Sequence, residues 1–263
     1  MTAPYLVQTL PHTRLTALLN AARIEGPLTV TPPLYEQSHG FRASKLAGCL
    51  RQTGYSLNGA AQTHDTYDPD WTLSADIGTT IHTRLQEQLA ATGLAVVLHG
   101  APAIEVGLAE ATLPDLVAER ELLRFSGHID AVIRTAQGRL SVLDIKTGDP
   151  KEFAPSYRWL ADKQQKWAVQ VSSYLYYFAM PDGEQAREAY ILHVNRGNTK
   201  ERNLFRIPWQ PERWAVDLVR LKDAVDAVAG NCLPRPEPGA CRFCAHRGLC
   251  EANTYREPLA VPA

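Results

Sequence analysis

The stretch LLRFSGHIDAVIRTAQGRLSVLDIKT, residues 122–147, decides the fold. Its halves, 122–135 and 139–147, are rich in Leu, Val, Ile and Phe, and the short turn AQG separates them. Two β-rich runs joined by a Gly-containing turn specify a hairpin. Side chains alternate along a strand, so Leu140, Val142, Asp144 and Lys146 share one face. A carboxylate and an ammonium therefore end an apolar row that belongs in the core. The partner half sets Asp130 in a similar apolar context. Two acids on adjacent strands can converge on one hard cation, which takes oxygen ligands. An isolated D-x-K is an ordinary ion pair at a strand end, so the reading depends on the rest of the chain.

Working outward, residues 76–91 place Ile77, Ile81, Leu85 and Leu89 on one helical face, closed by Gly93. Residues 94–106 read as strand material broken by Pro102. Beyond Asp149-Pro150, Trp167, Val171, Tyr174 and Phe178 mark a helix over about 159–180. Strands follow at 188–196 and 203–208, then a helix over about 210–229. The order specifies an α/β fold, a mixed central sheet flanked by helices.

The helices carry further polar residues. His82 lies on the flank of the first apolar stripe, and a neutral imidazole can complete a site of two carboxylates, tilting it from magnesium toward manganese. Gln170 and Tyr174 are spaced i, i+4 and share a face. Each of these has an ordinary structural explanation when taken singly.

Together they come in a recognisable order. GTTIHTRLQ, GHIDAV, LDIKTG, QVSSYLYY and a C-x2-C-x5-C tail, spread over residues 44 to 250, resemble the RecB-like branch of the PD-(D/E)xK nucleases. Within that branch the chain resembles the iron–sulfur exonucleases of the CRISPR-associated Cas-four type. One departure is visible: the family often has Glu four residues after the His, where this chain has Gln86, with Glu87 beside it. The resemblance implies a restriction-endonuclease-like core. It implies Mn2+ or Mg2+ held by Asp130, Asp144, His82 and the backbone carbonyl of Ile145. Lys146 would position or help deprotonate a water, and Gln170 and Tyr174 would orient the site or the substrate strand.

The tail ACRFCAHRGLC, 240–250, holds Cys241, Cys244 and Cys250. Three thiols leave a four-ligand centre short of one. Cys232 is near in sequence and would make a compact zinc knuckle. Cys49, in FRASKLAGCLRQTGY, lies far away. The resemblance implies Cys49 and a 4Fe-4S cluster, since members carry one cysteine in an S-x-x-x-x-C segment, matched by Ser44 to Cys49, and three near the C-terminus. Such a centre would staple two proline-rich segments across the core. Arg42, Lys45 and Arg51 flank Cys49, and Arg242, His246 and Arg247 flank the tail cysteines, so that joining the segments would gather a basic patch for phosphates.

The 263 residues carry a net charge of -1, which excludes a uniformly basic coat but not a local basic groove. No apolar run approaches a membrane span, and the N-terminus lacks a signal-peptide pattern, so the expectation is a cytoplasmic protein whose five cysteines are ligands rather than disulfides. The expected organisation is an N-terminal extension at 1–43, a nuclease core at 44–230 and a cysteine segment at 231–263. The leading function is a DNA exonuclease acting on single strands or ends, 5′ to 3′ by resemblance, in recombination, repair or CRISPR adaptation. Helicase, recombination or CRISPR-adaptation proteins are candidate partners, and some relatives form rings. The alternatives are a structure-specific endonuclease, a non-catalytic DNA-end-binding protein with a zinc site, and an electron-transfer protein. The last has no flavin or nucleotide motif to pair with.

Overall fold

The hairpin forms, but its first half is two strands rather than one. The computed structural model describes residues 3–10, 40–61, 63, 69–108, 124–230, 232–237, 241 and 244–252. In chain order these give β1 (Gln8–Leu10), β2 (Gly40–Arg42), α1 (Leu50–Leu57), α2 (Pro69–Ala91), β3 (Val97–Leu98), β4 (Ala101–Pro102) and β5 (Ile104–Gly107). They continue with β6 (Arg124–Ser126), β7 (His128–Arg134), β8 (Leu140–Gly148), α3 (Leu160–Tyr177), β9 (Glu188–Asn195), β10 (Arg202–Pro208) and α4 (Pro211–Ala229).

Six strands make one mixed sheet in the order β1-β10-β9-β8-β7-β5. All neighbours are antiparallel except β8 and β9, which run parallel and are connected through α3. Parallel neighbours need such a crossover. At Gly127 the chain leaves the sheet backwards, and β6 pairs in parallel with β2. A Cβ at Gly127 would stand 2.9 Å from both Ala43 Cβ and Tyr174 Cε1, so only glycine lets the strand pass this close to α3. Residues 122–123 of the quoted stretch lie outside the described residues.

Strand alternation puts opposite rows of β8 into opposite cores. Leu140 and Val142 pack with Val171, Tyr174 and Leu175 of α3 and Trp214 and Leu221 of α4. Leu143 and Ile145 pack on the other face with Leu85 and Leu89 of α2. Two expectations shift. The first helix starts at Pro69 rather than 76, and proline is well suited to a first helical turn. Residues 94–106 split around a two-residue turn, where His99 and Gly100 both have positive φ, as tight hairpins require. Pro102 thus sits in a two-stranded edge element, and β5 beyond it joins the main sheet. No helix among the described residues is long and apolar enough to cross a membrane.

Candidate active site

Asp130 and Asp144 stand where the hairpin ladder ends. The β7–β8 pairing runs from Arg134 and Leu140 to Ala131 and Leu143 and stops there. One step further the two acids lie opposite each other, and Oδ2 of Asp130 accepts the backbone N–H of Ile145 at 2.5 Å. β8 itself stays paired with β9 as far as Gly148. The strand carrying Asp144 is thus rigid while its other neighbour releases a side chain toward it.

Asp144 is 1% exposed. Lys146 Nζ lies 2.7 Å from its Oδ2, and Gln170 Nε2 donates to its Oδ1 at 3.2 Å. Burial pushes the Asp144 carboxyl up to about 6; the Lys146 charge pulls it back and the Asp130 charge pushes it further. Gln170 also donates to the Tyr174 hydroxyl at 2.7 Å, one turn along α3. Burial, then the charge of Asp144, hold the Tyr174 phenol well above its ordinary range. Ile145 is buried between Asp144 and Lys146 in the strand, with its side chain in the opposite core.

His82 arrives from α2. A Cβ at Gly78 would stand 2.9 Å from Thr147 Oγ1, so glycine there lets α2 lie close against the end of β8. One turn later His82 Nδ1 comes within 3.6 Å of Asp130 Oδ2. Burial lowers the imidazole pKa, but the hydrogen bond and charge of Asp130 outweigh it and the net shift is upward. All seven residues expected at the metal centre therefore meet in one region.

The sequence reading missed Glu105 of β5 and gave Gln86 no role. Gln86 Nε2 donates to Glu105 Oε1 at 2.5 Å and to the backbone carbonyl of Asp130 at 3.2 Å. Burial and then the nearby Asp130 charge raise the Glu105 carboxyl, against the lowering effect of the Gln86 hydrogen bond. No local signal singles out Glu105, whose place depends on how β5 registers with β7.

Among the described residues no three His, Cys, Asp or Glu side chains are arranged to enclose one metal ion. At the acidic centre the carboxylates are turned to protein partners, Asp144 to Lys146 and Asp130 to Ile145. The donor set nevertheless fits a hard divalent cation: clustered carboxylate oxygens and one imidazole, with more acid than the Lys146 ammonium offsets.

Away from the acidic centre, Cys49, Cys241, Cys244 and Cys250 line one open pocket. Burial raises the Cys244 thiol, and the other three thiols are close enough to push it the same way. Cys232 is exposed, with its thiol 3.6 Å from the Gly230 carbonyl, and is not part of the pocket lining. The tail lies directly on the Cys49 segment. Thr63 N–H donates to Ala245 O at 2.8 Å, Gly248 N–H to Thr63 Oγ1 at 2.9 Å, and Glu237 N–H to Cys49 Sγ at 3.4 Å. Arg220 of α4 binds the carbonyls of Leu46 and Gly48 and the carboxylate of Glu237.

The expected basic patch is weaker than its composition suggests. His246 is 2% exposed, stacked on Tyr55 and within 3.1 Å of both Ala61 O and Ser56 Oγ. The Arg51 guanidinium donates to Pro234 O and pairs with Glu251 at 3.0 Å. Arg242 lies outside the described residues. Trp159 is 65% exposed, whereas Trp167 packs on His193 and Phe205.

The profile of the PD-(D/E)XK nuclease superfamily matches residues 77–251. Among solved structures the chain is similar to the crystal structure of SSO0001, with 18% identity, a TM-score of 0.50, and coverage of 92% of this chain and 96% of that one. That likeness concerns the fold. A slighter one, with 10% identity and a TM-score of 0.41, links 74% of the chain to 94% of an alkaline exonuclease, LHK-Exo, from Laribacter hongkongensis. The complex of LHK-Exo with dAMP gives the same identity and TM-score. No curated protein sequence matches the chain.

Proposed function

The chain belongs to the PD-(D/E)XK nuclease superfamily, and from that premise we propose that it is a metal-dependent DNA exonuclease acting on single strands or ends. The observation that carries this reading is the meeting of Asp130, Asp144 and Lys146 with His82 and Gln170 where β7 and β8 part. Asp130, Asp144, His82 and the carbonyl of Ile145 would hold Mn2+ or Mg2+, which supplies Lewis-acid charge at a phosphate and lowers the pKa of a bound water. The chain's own groups do the rest. Lys146 neutralises Asp144 and offers an ammonium to a water or to negative charge developing on a phosphate. Gln170 donates to the Asp144 carboxylate and also to the Tyr174 hydroxyl, so that Tyr174 helps hold the amide that orients the acid. Burial of Asp144 keeps these charges strong by excluding water.

The second part of the proposal is a 4Fe-4S cluster on Cys49, Cys241, Cys244 and Cys250. Four thiols line one pocket, and four cysteines are the ligand set such a cluster would take. The cluster would act as a structural staple between the Cys49 segment and the tail. A 5′ to 3′ direction and a place in recombination, repair or CRISPR adaptation are the finer parts of the proposal and rest on the resemblance.

The test uses the purified full chain with end-labelled linear DNA, single- and double-stranded, and a closed circle, each with Mn2+ or with EDTA. Progressive loss of linear DNA in Mn2+ alone, abolished in Asp144→Ala and Lys146→Ala, is the expected result. Cutting of the circle replaces the exonuclease mode with an endonuclease one. Equal activity in both variants removes this site from the reaction.

A further inference from the structure

Glu105, Asp130 and Asp144 occupy one row across three neighbouring strands. The pairs Ile104 with Ala131 and Val106 with Ile129 bracket Glu105 opposite Asp130. The last described pair of the next ladder, Ala131 with Leu143, puts Asp130 opposite Asp144. Gln86 ties β5 to β7, since its amide donates to both Glu105 Oε1 and the Asp130 carbonyl. His82 from the same helix faces Asp130, and His128, at the start of β7, is near enough to act on the Glu105 charge. No Lys or Arg among the described residues pairs with Glu105, so the row holds three carboxylates against the one ammonium of Lys146.

The backbone adds to the case. Glu105 adopts φ 51, in the left-handed region that costs a non-glycine residue roughly 1–2 kcal/mol. Strain of this kind persists where surrounding contacts over-determine a side chain, and it clusters at functional sites. Here the contact is with Gln86, whose amide lies 2.5 Å from the Glu105 carboxylate.

Resting on the nuclease reading above, we propose that Glu105 is a further metal-binding acid of this site, holding divalent cation on the side of Asp130 away from Lys146. Its position on the short edge strand β5 leaves it the most accessible of the three acids, whereas Asp144 and Asp130 are buried. Gln86 orients it and keeps it aimed at the row.

The experiment measures Mn2+ binding to the full chain without DNA, by electron paramagnetic resonance of free Mn2+ and by calorimetry. The variants are Glu105→Gln, which keeps shape, and Glu105→Asn, which tolerates a left-handed backbone better than Glu and separates lost charge from lost fold. Both are expected to fold and to weaken Mn2+ binding by about tenfold or more, since loss of even a supporting group around a metal ligand costs about that much. Mn2+ binding equal to wild type in both variants overturns the role of Glu105 and leaves the nuclease reading standing. Wild-type protein that neither binds Mn2+ nor cleaves DNA overturns both. Asp144→Asn, measured alongside, marks the loss expected of a primary ligand.

Discussion

The backbone N–H of Ile145 donates to Oδ2 of Asp130 at 2.5 Å. One carboxylate thereby serves two ends: it belongs to the acidic centre, and it takes the place of a ladder partner for a buried amide on β8. Removing the acceptor should cost about 1–3 kcal/mol, the usual penalty for an unsatisfied buried donor. Asp130→Ala is expected to lose that stability in urea denaturation, whereas Asp130→Asn, which keeps an acceptor oxygen, stays near wild type and loses only metal-dependent cleavage. Wild-type stability in the alanine variant would show that the hydrogen bond does not hold the strand.

Asp144 makes metal-free protein less stable as pH rises. Its carboxyl is raised from 3.8 to about 6, with burial the largest cause. The folded chain therefore holds this proton more tightly than the unfolded chain. The resulting stabilisation is complete below pH 3.8, fades as pH climbs toward about 6 and is absent above. At about 1.4 kcal/mol per pH unit this is on the order of 3 kcal/mol. Thermal melts in EDTA between pH 4 and 7 should show wild type losing stability relative to Asp144→Asn across that window. Parallel curves would contradict the burial argument.

Glu152 behaves in the opposite sense. Burial raises its carboxyl, but hydrogen bonds from His193, Lys163 and the Asp149 N–H bring it down to about 2. Its stabilisation is complete above pH 4.5 and is lost as pH falls toward 2, worth about 1–2 kcal/mol after allowance for solvent screening. Glu152→Gln should therefore narrow the gap to wild type on acidification. Gly148→Ala tests the same cluster sterically, because a Cβ there would run into the His193 ring and stand 2.8 Å from Glu152 Oε2. Overpacking of this kind costs about 1–3 kcal/mol, read as a fall in urea midpoint at neutral pH.

The cysteine pocket makes a colour prediction. Anaerobically purified protein should be brown, with a broad visible charge-transfer band and iron and sulfide in cluster stoichiometry. Cys49→Ser should lose the chromophore and Cys232→Ser should keep it, since Cys232 is exposed and apart from the pocket. Colourless protein with stoichiometric zinc would refute the cluster.

Arg220→Ala removes the guanidinium that joins the carbonyls of Leu46 and Gly48 to Glu237. It should leave the nuclease core folded and bleach faster in air, because the loop before Cys49 and the connector before Cys241 lose their common anchor. Bleaching at the wild-type rate would place the anchor elsewhere.

Much of the fold was legible because its signals are local. The alternation in LSVLDIK set the face of Asp144 and Lys146, and the i, i+4 spacing of Gln170 and Tyr174 set their common side. Where the reading went astray, a short-range exception intervened. The strand over 122–135 divides at Gly127, and 94–106 folds back at His99-Gly100, both through backbone conformations or close approaches that periodicity does not encode. His246 reads with Arg242 and Arg247 as part of a basic patch, yet it is packed on Tyr55 from another segment.

By itself, then, the sequence determined the hairpin, the flanking helices, the acids and lysine at the strand ends, and the order of the motifs. Tertiary structure alone decided which distant residues face them. Only packing sets the register of β5 on β7, and hence the row of Glu105, Asp130 and Asp144. Only packing brings Cys49 to the tail and leaves Cys232 outside the pocket. The physical reason is that periodicity fixes which face a side chain occupies, whereas the register between elements far apart in sequence is fixed by what they bury together.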